Sequence, residues 1–341
     1  MLKGIVEPLL EHGAADQIEV KRFSGGYSNL TYLIRINKLH EFVLRTAPKG
    51  ANVKSGHDMR REYNILKRIK PLLGSVPQVY LFSDDHLITG ADFYLMEKMD
   101  GYILRAGLPE SALPDASRMA GMAESFISKF AEIHQLGVKN AGLDDIGFPE
   151  KYISRQITGW AKRYEAARTG DLPEMDSLIK WLNGHIPESG PAGLLHNDFK
   201  YDNIVYDHQV KILAVLDWEM STIGDPLMDL GSSLAYWADD DDPDWFKALN
   251  LNLTTLPGNP DREGVVHAYA RATGRDPGNG VFWYAYGLLK LAVIAQQIFS
   301  RYNRGLTRDP RFAHLDKAVK ACVVMALQAV QKGRISNLFT V

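Results

Sequence analysis

Cysteine is nearly absent: Cys322, in "KACVVMAL", stands alone among 341 residues. A single thiol excludes a disulfide framework and a cysteine-based metal site, so Cys322 reads as a small apolar packing residue. Excess charge is missing too. The balance of 39 Lys and Arg against 41 Asp and Glu gives a net charge of -2, which supplies no basic face for nucleic acid. The opening "MLKGIVEPLLEHGAADQ" has no apolar core of the signal-peptide kind. The most apolar stretch, "VFWYAYGLLKLAVIAQQIF" (281–299), carries Lys290 and two glutamines. It falls short of an uninterrupted apolar span of about 20 residues. A buried helix is therefore expected there, with no membrane span and a cytoplasmic location. No Gly-x-x-x-x-Gly-Lys-Ser/Thr run occurs, which excludes a P-loop, and there is no internal repeat or low-complexity tract.

What is present suggests two parts, as the length also does. Residues 1–12 read as a short helix. "VKRFSGGYSNLTYLIRI" and "EFVLRTA" flank the polar turn "NKLH" and look like adjacent antiparallel strands. In residues 57–70, Met59, Tyr63, Leu66 and Ile69 recur near helical spacing, and Pro71 is expected to end the run. "PQVYLFSD" and "DFYLMEKM" read as two further strands, and "KMDGYI" as a hinge. Beyond about residue 115 the pattern turns helical, except for one compact β-like island at 194–217. The expected fold class is α+β, with a β-rich lobe over 1–98 and an α-rich lobe over 99–341. The acidic run "DDDDPD" at 239–244 reads as a solvated loop.

The island holds "HNDFKYDN" (196–203), four ionisable side chains and two amides between Leu194–Leu195 and Ile204–Val205. Polar groups between buried positions are costly unless each is partnered. Asn203 opens one short strand and Asp217 closes the next, "ILAVLD", so a hairpin brings them toward each other. An amide oxygen and a carboxylate suit Mg²⁺, which takes oxygen ligands and shares them with phosphates. Asp198 is placed to accept a proton from a hydroxyl. The alternative, that each residue merely caps a turn, suits any one of them better than the ordered set.

His-x-Asp-x-x-x-x-Asn followed by a strand ending in Asp resembles the catalytic and metal-binding segments of the protein-kinase-like fold. The form here is similar to the aminoglycoside and choline phosphotransferase branch. It most resembles the proteins related to the kinase-like amino-terminal domain of some acyl-CoA dehydrogenases. "SGGYSNLTY", "FVLRTAP", "FYLMEKMDG", "HNDFKYDN" and "VLDWEMSTIGDPLMDL" carry that resemblance, in order, over about residues 20–310.

The resemblance implies a bilobal kinase-like fold that uses ATP and Mg²⁺. It implies Asp198 as base or hydroxyl-orienting carboxylate, Asn203 and Asp217 as metal ligands, and His196 as a loop-holding residue. Lys200 would face the transferred phosphoryl group. Gly25, Gly26, Ser28 and Asn29 would cover the phosphates with backbone and side-chain donors. Arg45 stands where kinases usually carry lysine, with Glu62 as its partner. Glu97 to Met99 would line the adenine slot through backbone groups. Asp229 would support the catalytic loop and Asp225 would cap a turn. Glu219 is left between a water-mediated metal contact and a structural role. Trp237, Trp283, Tyr284, Tyr286 and Gln297 read as core rather than acceptor pocket. The implied reaction moves a phosphoryl group to the hydroxyl of a small molecule, a hydroxyacyl compound or its CoA thioester, with a functional link to an acyl-CoA dehydrogenase. The alternatives are a catalytically silent nucleotide-binding scaffold and a metal-dependent hydrolase. Asp202 has no assigned role.

Overall fold

β-Branched and aromatic residues alternating between polar turns build the first sheet in the computed structural model, which describes all residues except 1, 11–14, 24–28, 49–56, 250 and 341. In chain order the elements are α1 (Leu2–Val6), β1 (Ile18–Arg22), β2 (Leu30–Ile36), β3 (His40–Thr46), α2 (Met59–Leu73), β4 (Val79–Ser83), α3 (His86–Thr89) and β5 (Phe93–Glu97). They continue with α4 (Ala116–Gln135), α5 (Tyr152–Ala167), α6 (Pro173–Gly184), β6 (Gly193–Leu195), β7 (Ile204–Tyr206), β8 (Ile212–Val215) and β9 (Thr222–Gly224). The last are α7 (Pro226–Leu234), α8 (Asp244–Lys247), α9 (Arg262–Thr273), α10 (Val281–Asn303) and α11 (Leu315–Lys332). The chain forms two compact units: one of Met1–Tyr102, Asn140–Leu143 and Ile204–Ser221, the other of Ile103–Lys139, Asp144–Asn203 and Thr222–Val341.

The first unit carries a five-stranded antiparallel sheet in the order β1-β2-β3-β5-β4. Ile34, Ile36, Phe42, Leu44, Phe93 and Leu95 bury one face against Val6 and Ala15. Side chains alternate along a strand, so Arg45 points away from that cluster, toward α2. Helix α2 starts at Asp58, whose carboxylate accepts from Arg61 N at 2.9 Å, and buries Met59, Glu62, Ile65, Leu66, Ile69 and Leu73. Pro71 does not end it. The buried stripe runs on through Leu73, and Gly74, at φ 65°, closes the helix. A proline this near the end forfeits a single hydrogen bond.

The island at 194–217 is not one body. Strand β6 pairs with β9 inside the second unit, whereas β7 and β8 form a hairpin within the first. Asp207 Oδ1 shapes the hairpin turn by accepting from Gln209 N at 2.7 Å and Lys211 N at 2.9 Å. Val215 N donates to Ser75 O at 2.9 Å, and Tyr206 bridges to Tyr102. The first unit is thus assembled from distant stretches of chain.

The second unit packs around α10. This is the one described helix long and apolar enough to cross a membrane, and 72% of its apolar window is buried inside the fold. Trp283, Tyr284 and Tyr286 are buried core, as is Trp237, while Gln297 is half-buried. Gly231 on α7 and Gly287 on α10 face each other so closely that a Cβ on either would overlap backbone of the opposing helix. The acidic run is solvated only in part: Asp240, Asp241 and Asp244 are exposed, but Asp239 and Asp242 are buried, and Arg262 pairs with Asp242 through Nη1 at 2.5 Å and Nη2 at 2.7 Å. The neutralising arginine lies twenty residues on, beyond the reach of a local charge pattern. Cys322 is buried as an apolar residue, and burial pushes its thiol up to about 12.

Candidate functional site

Two constellations gather the polar residues, one in each unit. In the first unit they converge on Arg45. Its Nε lies 3.0 Å from Glu62 Oε2, and its Nη2 lies 2.5 Å from Asp217 Oδ1 and 2.8 Å from Glu219 Oε2. Burial works against the guanidinium charge, but Asp217, Glu62, Tyr94 and Glu219 outweigh it and raise Arg45 well above its ordinary value. Glu62 is 1% exposed, and burial lifts its carboxyl above the usual range although Arg45 pulls it down. Asn29 Nδ2 donates to Glu219 Oε2 at 2.5 Å, and His57 Nδ1 lies 2.7 Å from Asn29 Oδ1. Glu219 is therefore part of the Arg45 network. Arg61 donates to the carbonyls of Glu219 and Ser221, tying the segment after Asp217 to α2.

Asp217 itself has φ 67°, in the left-handed region that most side chains avoid. Just beyond it, Trp218 Nε1 donates back to Val215 O at 2.9 Å. A buried indole thus locks the turn that presents the carboxylate.

In the second unit the loop 196–203 is built by clamps on its backbone. Asp229, fully buried on α7, accepts from His196 N at 2.6 Å and Asn197 N at 2.9 Å. His134 Nε2 lies 3.2 Å from the same carboxylate, and its Nδ1 lies 2.6 Å from the Tyr269 hydroxyl. Burial opposes ionisation of Asp229, yet His134, His196 and Lys290 hold its pKa below the ordinary value. Asp225 caps α7 by accepting from Leu227 N at 3.0 Å and also accepts from Gly190 N at 2.9 Å. His196 is fully buried, and its Nδ1 accepts from Asp198 N at 3.2 Å, so its ring braces the loop.

Asp198 keeps 17% of its side chain exposed. Lys200 Nζ lies 3.1 Å from its Oδ1 and 3.0 Å from its Oδ2, and also 4.6 Å over the Tyr236 ring. Burial would raise the Asp198 pKa, but Lys200, His196 and Lys290 prevail and lower it. The result is a carboxylate that stays ionised and reachable.

Asn203 turns both amide hydrogens to Asp198, to its main-chain oxygen at 2.8 Å and to Oδ2 at 3.0 Å. Its amide oxygen remains an acceptor. The Asn203 amide oxygen in the second unit and the Asp217 carboxylate in the first are each the kind of hard oxygen donor that Mg²⁺ takes.

Gly25, Gly26 and Ser28 lie outside the described residues. The Glu97 side chain accepts from Gln78 N at 3.0 Å and lies 3.5 Å from Lys70, so it serves the edge of the sheet. Met99 is half-buried just past β5. Asp202 is partly buried, its Oδ1 has no hydrogen-bond partner, and burial raises its pKa. Residue reasoning overlooked His134, Tyr236 and Lys290. Only Lys290 left a trace in the sequence, as a charge inside an otherwise apolar run.

The model of the phosphotransferase enzyme family matches residues 19–265. Acyl-CoA dehydrogenase family member 10 of Mus musculus is 33% identical over 330 residues, covering 95% of this chain and 30% of that protein. The chain spans roughly a third of the length of the curated relatives it matches. Among solved structures, a Ralstonia eutropha protein assigned provisionally as an aminoglycoside phosphotransferase superposes with a TM-score of 0.80 at 27% identity over 97% of both chains. Choline kinase from Cryptosporidium parvum superposes at 0.63 with 14% identity over 99% of both chains, a likeness of fold. The kinase-like fold and the matched family model together assign the chain: it belongs to the phosphotransferase enzyme family.

Proposed function

We propose that the protein transfers the γ-phosphoryl group of ATP, with Mg²⁺, to a hydroxyl of a small molecule. The observation that carries this reading is Asp198: an ionised, partly exposed carboxylate on a loop clamped from its backbone, with a lysine ammonium 3.0 Å away. In the proposed reaction Asp198 accepts the proton of the acceptor hydroxyl as its oxygen bonds to phosphorus and the bond to ADP breaks. Lys200 keeps Asp198 ionised and adds positive charge beside the transferred group. Asn203 and Asp217 would hold the metal, which when bound neutralises charge on the β- and γ-phosphates. Arg45, fixed by Glu62, holds the Asp217 carboxylate in place.

The acceptor we favour is a hydroxyacyl compound, free or as its CoA thioester. This draws on the dehydrogenase names of the relatives; the run at 239–244, the kind of stretch that suits a polycation, has Asp239 and Asp242 buried. A functional link to an acyl-CoA dehydrogenase belongs to the same proposal.

A panel of hydroxyacyl-CoAs, hydroxy acids, sugars and amino alcohols, coupled to ADP release, tests the reading. Asp198→Asn should lower acceptor-dependent turnover about 10²- to 10⁴-fold and leave Mg·ATP binding nearly unchanged. Asp217→Ala should weaken Mg·ATP binding itself. Full turnover by Asp198→Asn would overturn the assignment, and tight nucleotide binding with no turnover on any acceptor would favour the silent scaffold.

A further inference from the structure

Lys290 is 5% exposed on α10, flanked in sequence by Leu288, Leu289, Leu291 and Ala292. A buried ammonium is costly and persists only where it is well partnered. Its Nζ donates to Asn197 O at 2.5 Å and to Ser232 Oγ at 3.2 Å. Asp229 on α7 and Asp198 on the loop favour its charge, while burial and Lys200 oppose it.

The Asn197 carbonyl belongs to the same peptide plane as the Asp198 N–H, which donates to His196 Nδ1. Asn197 has φ 65°, a backbone state costly for a residue with a side chain. Asp229 fixes the two N–H groups before this plane and cannot reach its carbonyl. Lys290 adds a charge-assisted bond on the carbonyl side of this plane, across from the 3.2 Å bond that its N–H makes to the His196 ring. Rotation of the plane would swing the Asp198 side chain.

We infer that Lys290 is a positioning residue for Asp198: its charged amine pins the 197–198 peptide plane from the carbonyl side, opposite the Asp229 clamp. The inference deepens the phosphotransferase reading and takes its catalytic meaning from it, but the positioning itself can be read without phosphoryl transfer.

The test uses the full chain with Lys290→Met, which keeps the length of the side chain, and Lys290→Arg, which keeps the charge. Hydrogen exchange over 194–203 is measured in each. Loss of a charge-assisted hydrogen bond should speed exchange at Asp198 about ten- to hundredfold in Lys290→Met. The sheet of the first unit should stay unchanged. Lys290→Arg should restore part of the protection. A folded Lys290→Met with wild-type loop exchange would overturn the inference, as would a uniform rise in exchange across the second unit. Should Lys290→Met not fold, Lys290→Gln, whose neutral amide can still donate to the Asn197 carbonyl, takes its place: faster exchange at Asp198 confined to the loop is expected, and wild-type exchange there would overturn the inference. With a turned-over acceptor, Lys290→Met should lower kcat while KM for ATP holds. If no acceptor is turned over, the phosphotransferase reading fails and the loop measurements still decide the positioning role.

Discussion

Replacing Arg45 with methionine would leave Glu62, 1% exposed on α2, as a carboxylate without its cation. Removing one partner of a buried ion pair costs about 3–5 kcal/mol, because the survivor keeps its desolvation penalty and loses its attraction. Asp217 and Glu219 would lose the same cation, but at 30% and 13% side-chain exposure they regain water more readily. The larger share of the loss therefore falls on Glu62. The double variant Arg45→Met/Glu62→Leu removes both charges, and most of the loss should be recovered, since apolar replacement of a whole buried pair is near neutral.

The pH dependence follows from the sign of the Glu62 shift. Burial raises its folded pKa, so its contribution to stability is complete below the ordinary carboxylate range and is lost as pH rises through the folded value. In Arg45→Met the group that pulls this pKa down is gone, so the carboxyl takes a proton at a higher pH than before. The penalty should then be smaller at pH 5 than at pH 8. Hydrogen exchange of the β3 amides, which reads the first unit, measures it at both values. A loss under about 1 kcal/mol, or one equal at both pH values, would refute the reasoning.

Three other outcomes are expected. Asp229→Asn should cost about 2–4 kcal/mol, since one buried oxygen facing a donor becomes an amide nitrogen. Its folded pKa is lowered, so the wild-type contribution is present above the ordinary carboxylate value and disappears as pH falls through the lowered one; the variant should show a shallower acid-unfolding slope. Asp239 is raised to about 7 by burial, against Arg262 and Ser336, so its contribution is complete below about 4 and gone once pH has passed through 7. Asp239→Asn should flatten the stability profile across that window, removing at most about 4 kcal/mol of variation in urea unfolding. Gly231→Ala should lower stability by about 3 kcal/mol, read as a fall in Tm, because α7 and α10 cannot part to admit a methyl group.

Much of the polar constellation was visible before the fold. "HNDFKYDN" and "VLDWE" announce themselves because carboxylates and amides between apolar strands have few other uses, and they lie close in sequence. The strands of the first sheet were legible from alternation, and the helices from their apolar stripes. The pairing of Arg45 with Glu62 was legible through the family resemblance, and the structure bears out the contact at 3.0 Å. Pro71 misled, because a local rule about proline met a buried stripe that carries the helix two residues further. The acidic run misled for the opposite reason: Arg262, which neutralises it, is distant along the chain and adjacent in space.

By itself the sequence determined which side chains are at hand: oxygen donors of the kind a hard cation takes, carboxylates able to accept a proton, arginine in place of lysine, and no second thiol for a disulfide. It also determined where the chain turns from strand to helix, since period and turn residues are local properties. The tertiary structure decided what holds those groups in place. It brought Asp229, His134 and Lys290 from three helices onto one loop, and Glu219 and Asn29 onto Arg45. The physical reason is that a buried charge is tolerated only beside its partner, and no spacing rule along the chain says which of many distant residues that partner will be.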